Sequence, residues 1–140
     1  MPLFREQLAC GQTVRFSPRG TSMLPMLRQG IDQVVLSPLP EKLRKFDLPL
    51  YQRDDGHYVL HRIVGIRDGR FTCLGDNQFV KEYDLRQDQM IAVVSAFTRD
   101  GRQYSVTDPG YWIYCRVWYY SRHLRRLAQH GMRFLRRLMK

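Results

Sequence analysis

The sequence predicts a mostly β domain followed by a basic helical segment, and three observations support this prediction. Asp-Gly turns occur three times in under fifty residues, at Asp55-Gly56, Asp68-Gly69 and Asp100-Gly101. Each lies between runs of β-branched and aromatic residues, which is typical of antiparallel hairpins. After Asp108 the apolar residues recur every three, four or seven positions, a spacing that indicates one face of a helix.

The elements follow in order from these local signals. A short helix is expected over Pro2–Leu8, before the first β segment. The predicted strands are Thr13–Phe16, Gln33–Leu36, Leu48–Gln52, Tyr58–Ile66, Phe71–Leu74, Ile91–Phe97 and Tyr104–Val106. Because the hairpins follow one another along the chain, we expect a meandering antiparallel sheet.

The C-terminal segment carries one helical stripe of apolar residues. Its members are Ile113, Val117, Tyr120, Leu124, Leu127, Phe134 and Leu138. Gly131 is expected to divide this segment into two helices, since glycine weakens a helix interior. The sequence therefore predicts two parts, a β domain over residues 1–108 and a basic aromatic helical tail over residues 109–140.

Composition narrows the class of protein. A chain of 140 residues is the size of one ordinary domain. Three cysteines without a C-x-x-C pair support neither a disulfide framework nor a thiolate zinc site. The sequence has neither the apolar core of a signal peptide near its start nor about 18 consecutive apolar residues anywhere. We therefore expect a cytoplasmic protein, with peripheral contact at the inner membrane surface as an extension of that expectation.

The positive charge is concentrated in the tail. The net charge is +10, and residues 109–140 contain eight Lys and Arg residues and no acid. Three interpretations of the tail stay open: packing on the β body, an in-plane helix on an anionic membrane, and binding to nucleic acid. Nucleic acid is the least favoured partner because no groove-reading motif accompanies the arginines.

Three short segments carry residues suited to nucleophilic catalysis. Ser22 lies in a loop of sequence Gly-Thr-Ser-Met-Leu-Pro, His61 in a predicted strand, and Asp76 in a Gly-Asp-Asn turn that ends the next hairpin. A serine hydroxyl is a poor nucleophile until a positioned base removes its proton, and imidazole titrates close to working pH. Taken singly, the serine and the Gly-Asp-Asn segment are typical of turns, and the histidine is typical of a packed strand residue. The hypothesis of a catalytic site therefore depends on their combination.

In order and spacing, these motifs resemble the signal peptidase I and SOS-repressor superfamily of serine peptidases. The resemblance covers Gly20 to about Asp84, and the hairpin up to about Val106 also fits. The histidine resembles the branch of endoplasmic-reticulum, archaeal and sporulation-type signal peptidases, in which a Ser–His pair replaces Ser–Lys. The chain has no membrane anchor of the kind those enzymes carry, which leaves preprotein processing an open expectation.

The resemblance implies a role for each site residue. Ser22 would be the nucleophile, His61 the general base, and either Asp76 or Asp84 the carboxylate that supports the histidine. Residues of the serine loop would form the oxyanion and substrate-binding segment, namely Gly20, Thr21, Met23 and Pro25. No metal and no cofactor are implied.

The expected function is a serine endopeptidase that cleaves an extended segment of a peptide or protein precursor. The alternative is a catalytically inactive relative that keeps the fold and acts as a membrane-surface or nucleic-acid-binding module.

Overall fold

A computed structural model describes residues 2–139, with side chains from residue 5 onward. Besides a single-turn 3-10 helix (Gln87–Gln89), it contains nine strands and three α-helices. In chain order these are α1 (Pro2–Ala9), β1 (Val14–Phe16), β2 (Gln33–Ser37), β3 (Pro49–Gln52), β4 (Tyr58–Leu60), β5 (Arg62–Arg67), β6 (Arg70–Leu74), β7 (Glu82–Leu85), β8 (Met90–Arg99), β9 (Arg102–Ser105), α2 (Pro109–Tyr120) and α3 (Arg122–Leu138). The prediction of a mostly β body with a helical C-terminal segment is confirmed.

The strands form two antiparallel sheets rather than one meander. The larger sheet has the order β1-β2-β8-β3-β4, with β9 also paired to β8, and the smaller sheet has the order β5-β6-β7. The long strand β8 lies between β2 and β3, so the chain returns to the centre of the sheet after building its edge. The prediction of sequential neighbours is therefore wrong at β8, because local turn signals contain no information about such a long-range pairing.

Two of the three predicted Asp-Gly turns are two-residue hairpin turns. Asp68 and Gly69 have φ values of 52° and 73°, and Asp100 and Gly101 have 53° and 77°. Positive φ at both central residues matches the right-handed twist of the flanking strands. The third turn is longer, because β3 and β4 pair only up to Gln52 and Tyr58 and leave a five-residue loop between them.

The chain passes from the larger sheet to the smaller one at His61. Strand β4 ends at Leu60 and β5 begins at Arg62, so the histidine lies at the junction and not within a strand as predicted. A buried cluster that includes Leu36, Leu60 and Val94 lies against the larger sheet. A second cluster, which includes Tyr51 and Phe71, draws on strands of both sheets.

The two C-terminal helices differ in how they meet the body. Helix α2 buries Cys115 and Tyr119 against Phe46, Val64 and Leu74. Within Arg122–Leu138 of α3, by contrast, no residue is buried. The segment divides at Ser121 and not at Gly131, which α3 includes without interruption. No helix within residues 2–139 is long and apolar enough to cross a membrane.

Candidate active site

The loop that carries Ser22 connects β1 and β2 and is held by the Gly75–Asn77 turn. The Asn77 amide donates to the Ser22 carbonyl (2.8 Å), and the Asn77 side-chain nitrogen donates to the Thr21 carbonyl (3.1 Å). A Cβ at position 75 would lie 2.6 Å from the Ser22 carbonyl oxygen, so this close approach requires glycine. The Gly-Asp-Asn motif thus positions the serine loop.

This clamp leaves two consecutive amides of the serine loop free. The carbonyls of Thr21 and Ser22 are occupied by Asn77, whereas the amides of Ser22 and Met23 donate to no acceptor within residues 2–139. The Ser22 hydroxyl likewise makes no hydrogen bond to the described part of the chain. An unpaired hydroxyl beside consecutive unpaired amides is the arrangement that acyl transfer requires, since the amides can receive an oxyanion.

Ser22 and His61 line the same cavity, which has a volume of about 250 Å³. Its wall is formed by the serine loop, by strand β4 with the adjoining His61, and by the side chains of Arg53 and Gln78. The lining residues include Gly20, Ser22, Met23, Arg53, Val59 and His61. The structure therefore brings together the two residues on which the sequence hypothesis depends, although they are far apart in the chain.

The hydrogen bonds of His61 indicate which ring nitrogen carries the proton. The Nδ1 atom lies 3.4 Å from the Tyr51 hydroxyl, and this hydroxyl donates its single proton to Glu82 Oε2 at 2.6 Å. Because a carboxylate can only accept, Tyr51 must act as an acceptor toward His61. The contact therefore favours the tautomer with a proton on Nδ1 and an unprotonated Nε2.

Charges and burial explain the ionisation of this chain of groups. Burial of the imidazole lowers the pKa of His61 from 6.5 to about 4, and the charge of Glu82 opposes that change more strongly than the charge of Asp76 does. Burial raises the pKa of Glu82, but hydrogen bonds from Arg53 and Tyr51 outweigh it and the pKa falls. The site thus holds a neutral imidazole beside an ionised carboxylate at neutral pH.

Asp76 is bonded to Arg62 and not to His61. The Arg62 guanidinium, 2 % exposed, donates from Nε and Nη2 to the two Asp76 carboxylate oxygens at 2.9 and 3.0 Å. Tyr114 of α2 donates to the same carboxylate at 2.6 Å, and the Trp118 indole donates to the Asp76 carbonyl at 2.7 Å. This network joins the Gly75–Asn77 turn to α2, so Asp76 supports the site through the serine loop.

Asp84 lies apart from the histidine. Its side chain is exposed on β7, its backbone φ is 57°, and within residues 2–139 it makes no hydrogen bond or ion pair. The register explains this position: Cys73 faces Glu82 and Phe71 faces Leu85, so two residues of β7 oppose one of β6. This irregularity breaks the two-residue alternation, so Glu82 lies half-buried against Tyr51 while Asp84 faces solvent.

The remaining predicted residues of the loop have separate environments. Gly20 and Met23 line the cavity, Thr21 is exposed, and Pro25 follows a cis peptide bond outside the cavity wall. Lys81, a potential alternative base, lies 5.5 Å from the ring centre of Tyr119 and does not line the serine cavity. Among the described residues, no cluster of three His, Cys, Asp or Glu side chains is available to hold a metal ion.

Sequence reasoning missed the residues that contact the catalytic candidates. Tyr51 lies in a predicted strand and Glu82 lies in none, and no short-range pattern connects either residue to His61. Arg62 had a usable signal, because a charged residue directly after the histidine in an otherwise apolar strand needs a buried partner. Its partner, Asp76, is one of the two carboxylates that the sequence offers as support for the histidine, and the structure pairs it with Arg62 instead.

Comparisons with protein-family models, with curated proteins and with solved structures give no match to this chain. Functional inference therefore depends on the residues and geometry described above.

Proposed function

We propose that this protein is a serine endopeptidase in which Ser22 is the nucleophile and His61 the general base, on a fold of the signal-peptidase type. The observation that carries the proposal is the shared cavity, whose lining includes Ser22 with its unpaired hydroxyl, the unpaired amides of Ser22 and Met23, and the neutral imidazole of His61. The order of the Ser22 loop, the histidine and the Gly-Asp-Asn turn also agrees with the family resemblance.

The chemistry follows from these groups. The Ser22 Oγ attacks the scissile carbonyl carbon while His61 Nε2 takes the hydroxyl proton, and the amides of Ser22 and Met23 bind the oxyanion. The leaving amine receives the proton from His61, which leaves an ester on Ser22. Water then attacks this ester with His61 again as base, and the second half of the substrate is released as an acid.

The orienting role is proposed for Tyr51 and Glu82. Tyr51 accepts a hydrogen bond from Nδ1–H of His61, and Glu82 holds Tyr51 in that orientation through the 2.6 Å bond. When the imidazole becomes positive during the reaction, the negative charge of Glu82 stabilises it. Arg53 bonds both oxygens of Glu82, at 2.9 and 3.2 Å, and so fixes the carboxylate.

An extended substrate is favoured by the edge of the larger sheet. Strand β4 is the last strand in that sheet, and its residues Tyr58–Leu60 line the serine cavity. A substrate segment bound as an added strand would therefore place a peptide bond near Ser22. The proposed substrate class is an unstructured stretch of a peptide or protein precursor.

The test uses a fluorophosphonate probe and a proteome-derived peptide library. Oγ of an activated serine displaces fluoride from the probe, and intact-mass and peptide mass spectrometry locate the adduct. We expect labelling at Ser22 and new library cleavages, with both absent in Ser22→Ala and His61→Ala. The matched controls are Ser105→Ala and His57→Ala, which change the same residue types outside the cavity and should leave both readouts unchanged.

Two outcomes would overturn the proposal. Library cleavage that persists in Ser22→Ala would put the nucleophile elsewhere. Absence of both labelling and cleavage in the wild-type chain would favour the alternative, a non-catalytic module that retains the fold.

A further inference from the structure

We propose that the exposed face of α2 and α3 is a docking surface for a membrane rich in anionic lipid, with α3 lying in the plane of the interface. This inference goes beyond the peptidase proposal and depends on a different part of the molecule. Its evidence is the distribution of apolar and charged side chains around α3 and the continuation of its apolar face onto α2.

Apolar and charged residues are completely separated around α3. At 3.6 residues per turn, its apolar side chains fall within an arc of about 160°, and all its arginines and histidines fall on the opposite side. The apolar face comprises Leu124, Leu127, Ala128, Met132, Phe134, Leu135 and Leu138. The large members of this face are all more than half exposed, so no part of the described chain covers them.

The apolar face continues onto α2. Ile113, Val117 and Tyr120 precede Leu124 at spacings of four, three and four, and each is more than half exposed. Only Ser121 separates the helices, and it takes part in main-chain bonds on both sides, Ser121 to Val117 and Arg125 to Ser121. The two helices therefore present one extended apolar surface.

The first turn of α3 is attached to the last turn of α2, which gives the surface a fixed origin. The Arg125 guanidinium lies 3.6 Å from the Trp118 ring centre and donates to the Trp118 carbonyl at 2.6 Å. Arg122 donates to the Tyr119 carbonyl at 3.0 Å. Farther along, Arg133, Arg136 and Arg137 are exposed and make no side-chain hydrogen bond, ion pair or ring contact within the described chain, so their guanidinium groups are free to bind an external anion.

The charge and the apolar face together indicate which partner this docking surface fits. Nucleic acid would use the arginines and leave the leucine face in water. A second copy would cover the leucine face, but it would also bring two basic helices together, since residues 109–140 contain no acid. An anionic lipid surface satisfies both faces at once, because the apolar face enters the acyl boundary while the arginines reach the headgroups.

The experiment is co-sedimentation of the full chain with phosphatidylcholine vesicles, with and without phosphatidylglycerol. We expect strong pelleting only with phosphatidylglycerol, weakened by added salt. The charge variant is Arg133→Gln, Arg136→Gln and Arg137→Gln together. Since each basic residue near such a surface contributes about fivefold, we expect partitioning to fall on the order of a hundredfold. Its control neutralises three exposed arginines at strand ends beside the hairpin turns, Arg67→Gln, Arg70→Gln and Arg102→Gln, and should bind nearly as the wild type does.

The apolar face has its own matched pair of variants. Leu127→Ser with Leu138→Ser should reduce partitioning at least tenfold, whereas Ile31→Ser with Val80→Ser should not. These residues are all exposed in the described structure, so neither pair should affect folding, and circular dichroism checks this.

Three results would overturn the inference. They are failure of the wild type to pellet with phosphatidylglycerol, equal vesicle binding by the charge variant and its control, and binding to duplex DNA together with vesicle binding that Leu127→Ser with Leu138→Ser leaves unchanged. The same assay on Ser22→Ala keeps this test independent of peptidase activity.

Discussion

The low pKa of His61 predicts an unusual pH dependence. Only a neutral imidazole accepts the serine proton, so activity should fall on the acid side near pH 4, well below the ordinary value of 6.5. Burial is the main cause of the lowered pKa, and the charge of Glu82 partly offsets it. A surface histidine acting as base would instead lose activity near 6.5.

The same lowered pKa affects stability. Between about pH 6.5 and about 4 the unfolded chain binds a proton at this position and the folded chain does not, so acid favours unfolding. The contribution is fully present above pH 6.5 and is lost as pH falls toward 4. At about 1.4 kcal/mol per pH unit, the difference between 6.5 and about 4 corresponds to roughly 3 kcal/mol.

Three measurements test this prediction. They are the rate of fluorophosphonate labelling against pH, the NMR titration of the His61 ring protons, and urea unfolding at about pH 7 and about pH 4.5. His61→Gln removes the titrating group, so its unfolding free energy should change less between the two pH values than that of the wild type. A fall in the labelling rate centred near pH 6.5 would refute the reasoning. So would an unfolding free energy that depends on pH equally in the wild type and in His61→Gln. A limb at markedly alkaline pH would indicate a lysine base instead.

Further predictions distinguish the roles of three carboxylates, those of Glu82, Asp84 and Asp76. Tyr51→Phe should lower the labelling rate about ten- to hundredfold, because a hydrogen bond to a charged group contributes about 1.5–3 kcal/mol. Glu82→Gln should lower the labelling rate as well, and it should move the acid-side fall in activity to lower pH. Asp84→Asn should change neither the labelling rate nor that pH. A loss confined to Asp84→Asn would contradict the assignment of Glu82 as the supporting carboxylate. Arg62→Gln or Asp76→Asn should each reduce the free energy of unfolding by about 3–5 kcal/mol, since either change leaves a buried ionic group unpaired. A loss below about 1 kcal/mol in urea unfolding would show that Arg62 and Asp76 do not form a buried pair.

The local elements could be predicted from the sequence because short-range chemistry determines them. Asp68-Gly69 and Asp100-Gly101 reach positive φ easily and so make two-residue hairpins, while the three- and four-residue spacing after Asp108 specifies helix. The separation of leucines and arginines on α3 is likewise a property of spacing alone. Ser22 and His61 could be identified as candidates by their neighbours.

Long-range packing determined which partners the strands and the charged residues have, and no short-range pattern in the sequence predicts that packing. Strand β8 enters between β2 and β3 because its apolar residues complete a buried cluster, which no turn signal encodes. Asp76 pairs with Arg62 because a buried guanidinium requires a carboxylate. An irregularity in β7 turns Asp84 to solvent and leaves Glu82 facing Tyr51. Register and burial are collective properties of the folded chain, and they assign each charged group its partner.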